Sequence, residues 1–106
     1  MQSTLNLLRK IGMKSNYTGY SYFAYGIALT VSNSAYSLNV TKGLYTDIAI
    51  QYGVSRTCVE AALRTLIRSY WNQYDDSILS ELLGYPLYER PTASEFISIL
   101  ADFLRD

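Results

Sequence analysis

Four charged side chains recur every four residues in one stretch of this 106-residue sequence: Arg56, Glu60, Arg64 and Arg68. On a helix this spacing places them along one face. A guanidinium such as that of Arg64 can bind guanine bidentately, and the carboxylate of Glu60 can accept a hydrogen bond from the N4 amine of cytosine. The same spacing also fits a solvated face with an intrahelical pair between Glu60 and Arg64. Both interpretations stay open at this point.

Catalytic chemistry is poorly supported by the residue types. The sequence has no histidine and a single cysteine, Cys58, so Ser-His and Cys-His pairs are excluded, as is a disulfide within the chain. The adjacent carboxylates of Asp75 and Asp76 diverge on a helix and are better suited to stabilising its positive end. We therefore expect no enzymatic activity, no metal site and no cofactor. We also expect Cys58 to be a partly buried structural thiol, because free cysteines usually are.

Charge is unevenly distributed along the chain. Residues 1–74 carry seven lysines and arginines and two acidic residues, a net +5, whereas residues 75–106 carry two basic and seven acidic residues, a net −5. Such a split can give one small domain a basic face and an acidic face, although solvated helices often show it too. The overall net charge of zero therefore does not argue against a nucleic-acid partner.

The elements that must position the charged face are two helical patterns around Gly53. Ala49 is small enough for a helix crossing, Gly53 tolerates the positive φ of a tight turn, and Val54 can fill that turn. Val59 follows ten residues after Ala49 and can hold the second helix in place. This combination predicts a helix-turn-helix.

Periodicity assigns an outward face to the second helix. If Val59, Leu63 and Leu66 point inward, the residues that point outward are Arg56, Thr57, Glu60, Ala61, Arg64, Thr65 and Arg68. In a helix-turn-helix, the beginning of the second helix enters the major groove of double-stranded DNA. Arg56, Thr57 and the free N–H groups of the helix N-terminus would suit phosphate oxygens.

Apolar periodicity and capping signals predict an all-α single domain with six helices and no strand. The expected helices are residues 3–11, 18–32, 41–52 with Thr41 as cap, 55–72 with Ser55 as cap, 75–83, and a last helix that begins at the capping box Thr92–Glu95. Polar loops are expected at SNSAYSLN and at the proline-containing YPLYERP.

Several motifs resemble the C-terminal effector domain of the stage zero sporulation protein A family, a group of DNA-binding response regulators. They are "IGM" to "GYSY" at Ile11 to Tyr22, "TKGLYTDIA" at Thr41 to Ala49, "VEAALR" at Val59 to Arg64, Trp71, "LLGY" at Leu82 to Tyr85 and "PTASEF" at Pro91 to Phe96. The last motif lies far from the helix-turn-helix and is the most specific to the family.

The resemblance implies a six-helix domain that reads a short promoter box, often as tandem copies occupied by adjacent protomers, and that acts on the transcription machinery. It implies DNA contacts by Glu60 and Arg64 and an approach of Asn16 to the DNA backbone. We expect Lys42 and Arg68, as basic residues, to help position the helix on DNA. The sequence also departs from the family. Ala61 replaces an arginine, Cys58 and Thr65 stand where basic or histidine side chains are common, and Ile50 with Gln51 replaces a basic pair.

These departures leave a second hypothesis open, namely a diverged helix-turn-helix module that binds protein and has weak DNA binding or none. For either hypothesis, the absence of a long apolar run and the lone cysteine lead us to expect a cytoplasmic protein without a membrane segment. The family's receiver domain does not occur in this sequence, which fits either an excised effector domain or a stand-alone version.

Overall fold

The computed structural model describes residues 2–73 and 76–105 and contains no β-strand within those ranges. Its α-helices are α1 (Gln2–Lys10), α2 (Thr18–Ser32), α3 (Tyr45–Tyr52), α4 (Arg56–Asn72), α5 (Asp76–Leu83) and α6 (Ala93–Arg105). The predicted all-α class and the six helices are therefore confirmed. The predicted start of a helix at Asp75 lies outside the described residues.

The connection between α2 and α3 is more ordered than predicted. A 3₁₀ helix, Ser34–Leu38, occupies most of the expected polar loop, and the Asn33 side chain accepts from the N–H of Ala35 at its start. A π-helical turn, Val40–Leu44, then leads directly into α3.

The prediction that Thr41 caps α3 is wrong. Thr41 lies inside the π-helical turn, where the N–H of Leu44 donates to the carbonyl oxygen of Asn39 over 3.2 Å. Since the backbone of this turn already satisfies its donors, α3 begins without a side-chain cap.

The core is organised around α2, which packs against α1, α3, α4 and α6. Phe23 on α2 and Phe96 on α6 are fully buried, and their ring centroids lie 5.5 Å apart. The Tyr70 hydroxyl donates to the carbonyl oxygen of Ile11 over 2.9 Å, which links α4 to the end of α1. This hydrogen bond holds α4 from its inner side.

Gly19 is the point of closest approach between α2 and α4. A Cβ atom at this position would lie 2.4 Å from the carbonyl oxygen of Ala62 and 3.2 Å from the Cβ of Leu66. Because the nearest obstacle is backbone, it cannot turn aside as a flexible side chain could. The crossing therefore requires a residue without a side chain.

The start of α6 is a capping box, as predicted. The N–H of Glu95 donates to Thr92 Oγ1 over 3.1 Å, and Glu95 Oε1 accepts from the N–H of Thr92 over 2.9 Å. The hydrogen bonds from Thr92, the backbone one foremost, lower the pKa of the Glu95 carboxyl below its usual value of 4.5.

Replacing Gly19 tests the α2–α4 crossing. Gly19→Ala is expected to lower the free energy of unfolding by about 1–3 kcal/mol, since the added methyl group has no room. Gly43→Ala is the matched control, because its Cβ would lie 3.4 Å from the nearest side-chain atom, an ordinary contact. Urea denaturation of both variants measures the difference. Equal stabilities would contradict the assigned crossing.

The capping box predicts a specific loss of stability in acid. The pKa of Glu95 is lowered in the folded state. Its contribution to the free energy of unfolding is therefore complete above about pH 4.5 and disappears as the pH falls through the folded-state pKa. Glu95→Gln keeps a side chain able to accept the hydrogen bond but removes the titration. Thermal melting between pH 6 and pH 3 should therefore show a steeper loss for the parent chain than for the variant. Parallel curves would show that Glu95 does not contribute.

Candidate nucleic-acid interface

A tight corner joins α3 to α4 and fixes the direction in which α4 leaves. Gly53 adopts a left-handed conformation with φ of 67°, and the N–H of Val54 donates to the carbonyl oxygen of Ala49 over 3.0 Å. With the weaker bond from the N–H of Gly53 to Ile50, this is a Schellman motif. The Ser55 hydroxyl then accepts from the N–H of Cys58 over 3.0 Å and caps α4. The helix-turn-helix expected from the sequence is thus present.

Helix α4 has one buried and one uncovered side. Its inner side consists of Val59, Leu63, Leu66 and Ile67, each at most 3% exposed. On the opposite side the predicted residues are exposed, except for Glu60, which is half-buried. We call this side the outer face; it comprises Arg56, Thr57, Glu60, Ala61, Arg64, Thr65 and Arg68.

The arginines of the outer face are not neutralised by the described part of the chain. Among residues 2–73 and 78–105, the single ion pair joins Arg105 to Asp102. The pair between Glu60 and Arg64 that the sequence allowed is not formed. Arg56, Arg64 and Arg68 therefore present positive charge to solvent.

A groove along one edge of the outer face lies between α4 and the beginning of α2. It is lined by Tyr17, Thr18, Gly19, Cys58, Ala61, Ala62 and Thr65, and we call it the α2 groove. Asn16 is exposed and immediately precedes this lining. The structure thus places the start of α2 beside Ala61 and Thr65. Asn16, the predicted DNA-backbone contact, directly precedes this part of α2.

Cys58 corrects the expectation of a buried structural thiol, since it is exposed. Helix α2 makes its close crossing with α4 one turn later, at Ala62, and leaves Cys58 at the edge of the α2 groove. Burial raises the pKa of Tyr22 on α2, and the neighbouring Cys58 thiol adds to this effect.

A second groove follows the other edge of the outer face, between α4 and the segment before α6. Its lining comprises Tyr45, Glu60, Arg64, Ile67 and residues 90–94, and we call it the α6 groove. At 100° per residue, Cys58, Ala61 and Thr65 fall on one side of the outer face, whereas Glu60 and Ile67 fall on the other. The two grooves therefore flank the outer face.

Sequence reasoning missed Arg90, Thr92 and Ser94 as neighbours of the outer face. The capping box located Thr92 and Ser94 at a helix start but carried no information about what that start packs against. No local periodicity reports a contact between residues some 30 positions apart. The motif PTASEF could have indicated this region, because it resembles the family. The resemblance gave no role to the motif, however.

Tyr45 forms the floor of the α6 groove. Burial, together with the negative charge of Glu60, raises the pKa of its phenol. The phenol therefore stays protonated at neutral pH beside the Glu60 carboxylate. Glu60 lies at the edge of this groove and is half-buried.

Lys42 stands apart from this arrangement. It is exposed on the π-helical turn before α3 and lines neither groove. The structure therefore does not bring Lys42 into contact with α4, and any role would require a partner large enough to extend beyond the outer face.

The described residues contain neither a cluster of metal ligands nor a membrane-spanning helix. No three side chains of aspartate, glutamate or cysteine converge as metal ligands among residues 2–73 and 78–105. Across the same ranges, no helix combines the length and apolar character that a bilayer span requires.

Comparison with protein families identifies the group to which the chain belongs. A family model described as the sporulation initiation factor Spo0A C-terminal domain matches residues 4–104. Since the match spans nearly the whole sequence, the chain belongs to this family of helical DNA-binding effector domains of sporulation response regulators. The resemblance noted from the sequence motifs is confirmed.

Proposed function

We propose that this member of the Spo0A C-terminal family binds double-stranded DNA sequence-specifically, with α4 in the major groove, and thereby regulates transcription. The observation that carries the proposal is the outer face of α4, which is uncovered and presents three arginines without an acidic partner in the described structure. A helix of 17 residues is about 25 Å long, and the major groove is roughly 12 Å wide, so the N-terminal half of α4 can enter it.

The proposed roles follow from side-chain chemistry and position. Arg64 lies mid-helix and would bind guanine bidentately, while Glu60 beside it would accept from cytosine N4. Ala61 and Thr65 on the opposite edge would contact bases through their methyl groups. Arg56, Thr57 and the free N–H groups at the start of α4 would bind phosphates, because a helix N-terminus attracts anions. Asn16, Lys42 and Arg68 would position the domain on the backbone.

Regulation would require more than one molecule on DNA. We propose that adjacent protomers occupy tandem copies of a short box and form a dimer there, and that the bound domain contacts the transcription machinery. Such a role would place the protein in the cytoplasm with the chromosome. The support for this level of detail is family membership.

A second candidate function is protein binding with weak or no DNA binding. It is favoured by the uncharged edge of the outer face at Ala61, beside Cys58 in the α2 groove, and by large exposed apolar side chains elsewhere. Leu38 is 90% exposed, Ile50 73% and Tyr88 89%. These three belong to different elements, and the experiment below separates the two functions.

Arg64→Ala tests the base-reading role. Duplexes that the parent chain selects from a random library supply the target, and fluorescence anisotropy measures affinity. The variant should lose about 1–3 kcal/mol of discrimination at one base pair while its binding to unrelated DNA changes less. Arg9→Ala is the matched control, because it removes the same charge from α1, outside both grooves. If the parent chain selects no duplex, the protein-binding function replaces the proposal.

Ala61→Arg tests whether the uncharged edge of the outer face limits the affinity for DNA. A cation added at this exposed position should strengthen binding and steepen its salt dependence by about one unit of log slope if it reaches a phosphate. Affinities measured across a salt series at constant pH give this slope. An unchanged affinity and slope would show that position 61 does not face the DNA.

A further inference from the structure

Arg90 is held at the rim of the α6 groove by a rigid piece of backbone. Pro91, which follows it, is buried, and its ring restricts the preceding residue to an extended conformation. Thr92 is fixed in turn by the two hydrogen bonds of the capping box. The backbone on which Arg90 stands is therefore ordered before any partner binds.

The side chain of Arg90 is exposed and belongs to the same groove as Arg64. Its acidic neighbours are Glu60, across the α6 groove, and Glu89 and Glu95, which line an adjacent depression with it. None of them forms an ion pair with Arg90 within the described structure. Glu95 is already committed to the N–H of Thr92. The guanidinium is therefore available to a partner.

The position of this free cation relative to α4 is specific. The α2 groove and the α6 groove border the outer face on opposite sides, so Asn16 and Arg90 stand on opposite flanks of α4. In a major groove, the two flanks of an inserted helix face the two phosphate backbones. A cation on the α6 flank would therefore contact a phosphate, and this contact would not depend on the base sequence.

We propose that Arg90 is a DNA-backbone contact that clamps the strand on the α6 side of the inserted helix α4. This inference rests on the proposed function and deepens it. Ser94 lines the same groove, but its hydroxyl is hydrogen-bonded to Thr92 Oγ1 over 3.1 Å, so the contact depends on Arg90. Arg90 thus adds affinity and fixes the angle of α4, whereas Arg64 carries the sequence preference.

The test is a salt titration of Arg90→Ala by fluorescence anisotropy, on the duplex selected by the parent chain and on an unrelated duplex of equal length. Loss of one phosphate contact should reduce the slope of log affinity against log salt by about 0.9. At about 0.1 M salt this corresponds to a loss on the order of tenfold, equal for both duplexes. Arg90→Lys, which retains the charge, should keep most of the slope.

The Arg90 contact can fail while DNA binding persists, and control variants distinguish the two results. Arg9→Ala removes an equal charge from α1 and should leave the slope nearly unchanged, and thermal melting should show all variants folded, since Arg90 is exposed. Unchanged affinity and slope for Arg90→Ala overturn the backbone clamp while leaving DNA binding intact. A loss confined to one base pair overturns it as well, because it indicates base reading. Failure of the parent chain to bind either duplex refutes the proposed function itself.

Discussion

The contact between Gly19 and the backbone of Ala62 determines what the rest of the structure can present. At this crossing α2 lies directly against α4, with no space for a β-carbon between them. Apolar side chains of α4 on either side of the crossing are consequently buried, Val59 and Leu63 completely. With that side of α4 used for folding, the opposite side is left to solvent. The availability of the outer face is therefore a result of how closely α2 approaches.

The electrostatic character of the surface follows from this geometry rather than from composition. A chain with no net charge still presents Arg56, Arg64 and Arg68 together, because all three project from the uncovered side of one helix. Glu60 lies at the edge of that side, near the buried phenol of Tyr45. A carboxylate among guanidinium groups adds selectivity more than affinity, because it repels phosphate and can only accept hydrogen bonds. A mixed face of this kind is consistent with the sequence-specific binding that we propose.

Local signals in the sequence predicted most of the fold, and the failures have identifiable causes. The helix-turn-helix was predictable because its determinants, from Ala49 to Val59, lie within a few turns of one another. The same holds for the capping box at Thr92. The π-helical turn at Val40–Leu44 was not predictable, because the hydroxyl of Thr41 offered a plausible cap and the competing backbone bonds leave no mark on residue type.

The site was predictable to the extent that it lies on one helix. Helical periodicity alone separated the outer face of α4 from its buried side. The grooves that border this face could not be predicted, because each depends on a contact between distant segments. The exposure of Cys58 and the position of Arg90 against α4 are both of this kind: the phase of a helix gives the direction of a side chain but not what covers it.

The most direct measurement of the central claim is a map of the DNA-binding surface by two-dimensional ¹⁵N NMR during titration with the selected duplex. If α4 enters the major groove, the largest amide shifts fall in the N-terminal half of α4 and in the flanking residues 16–19 and 90–94, with small shifts in α5. Large shifts confined to other elements, or none on the outer face at saturating DNA, would contradict it.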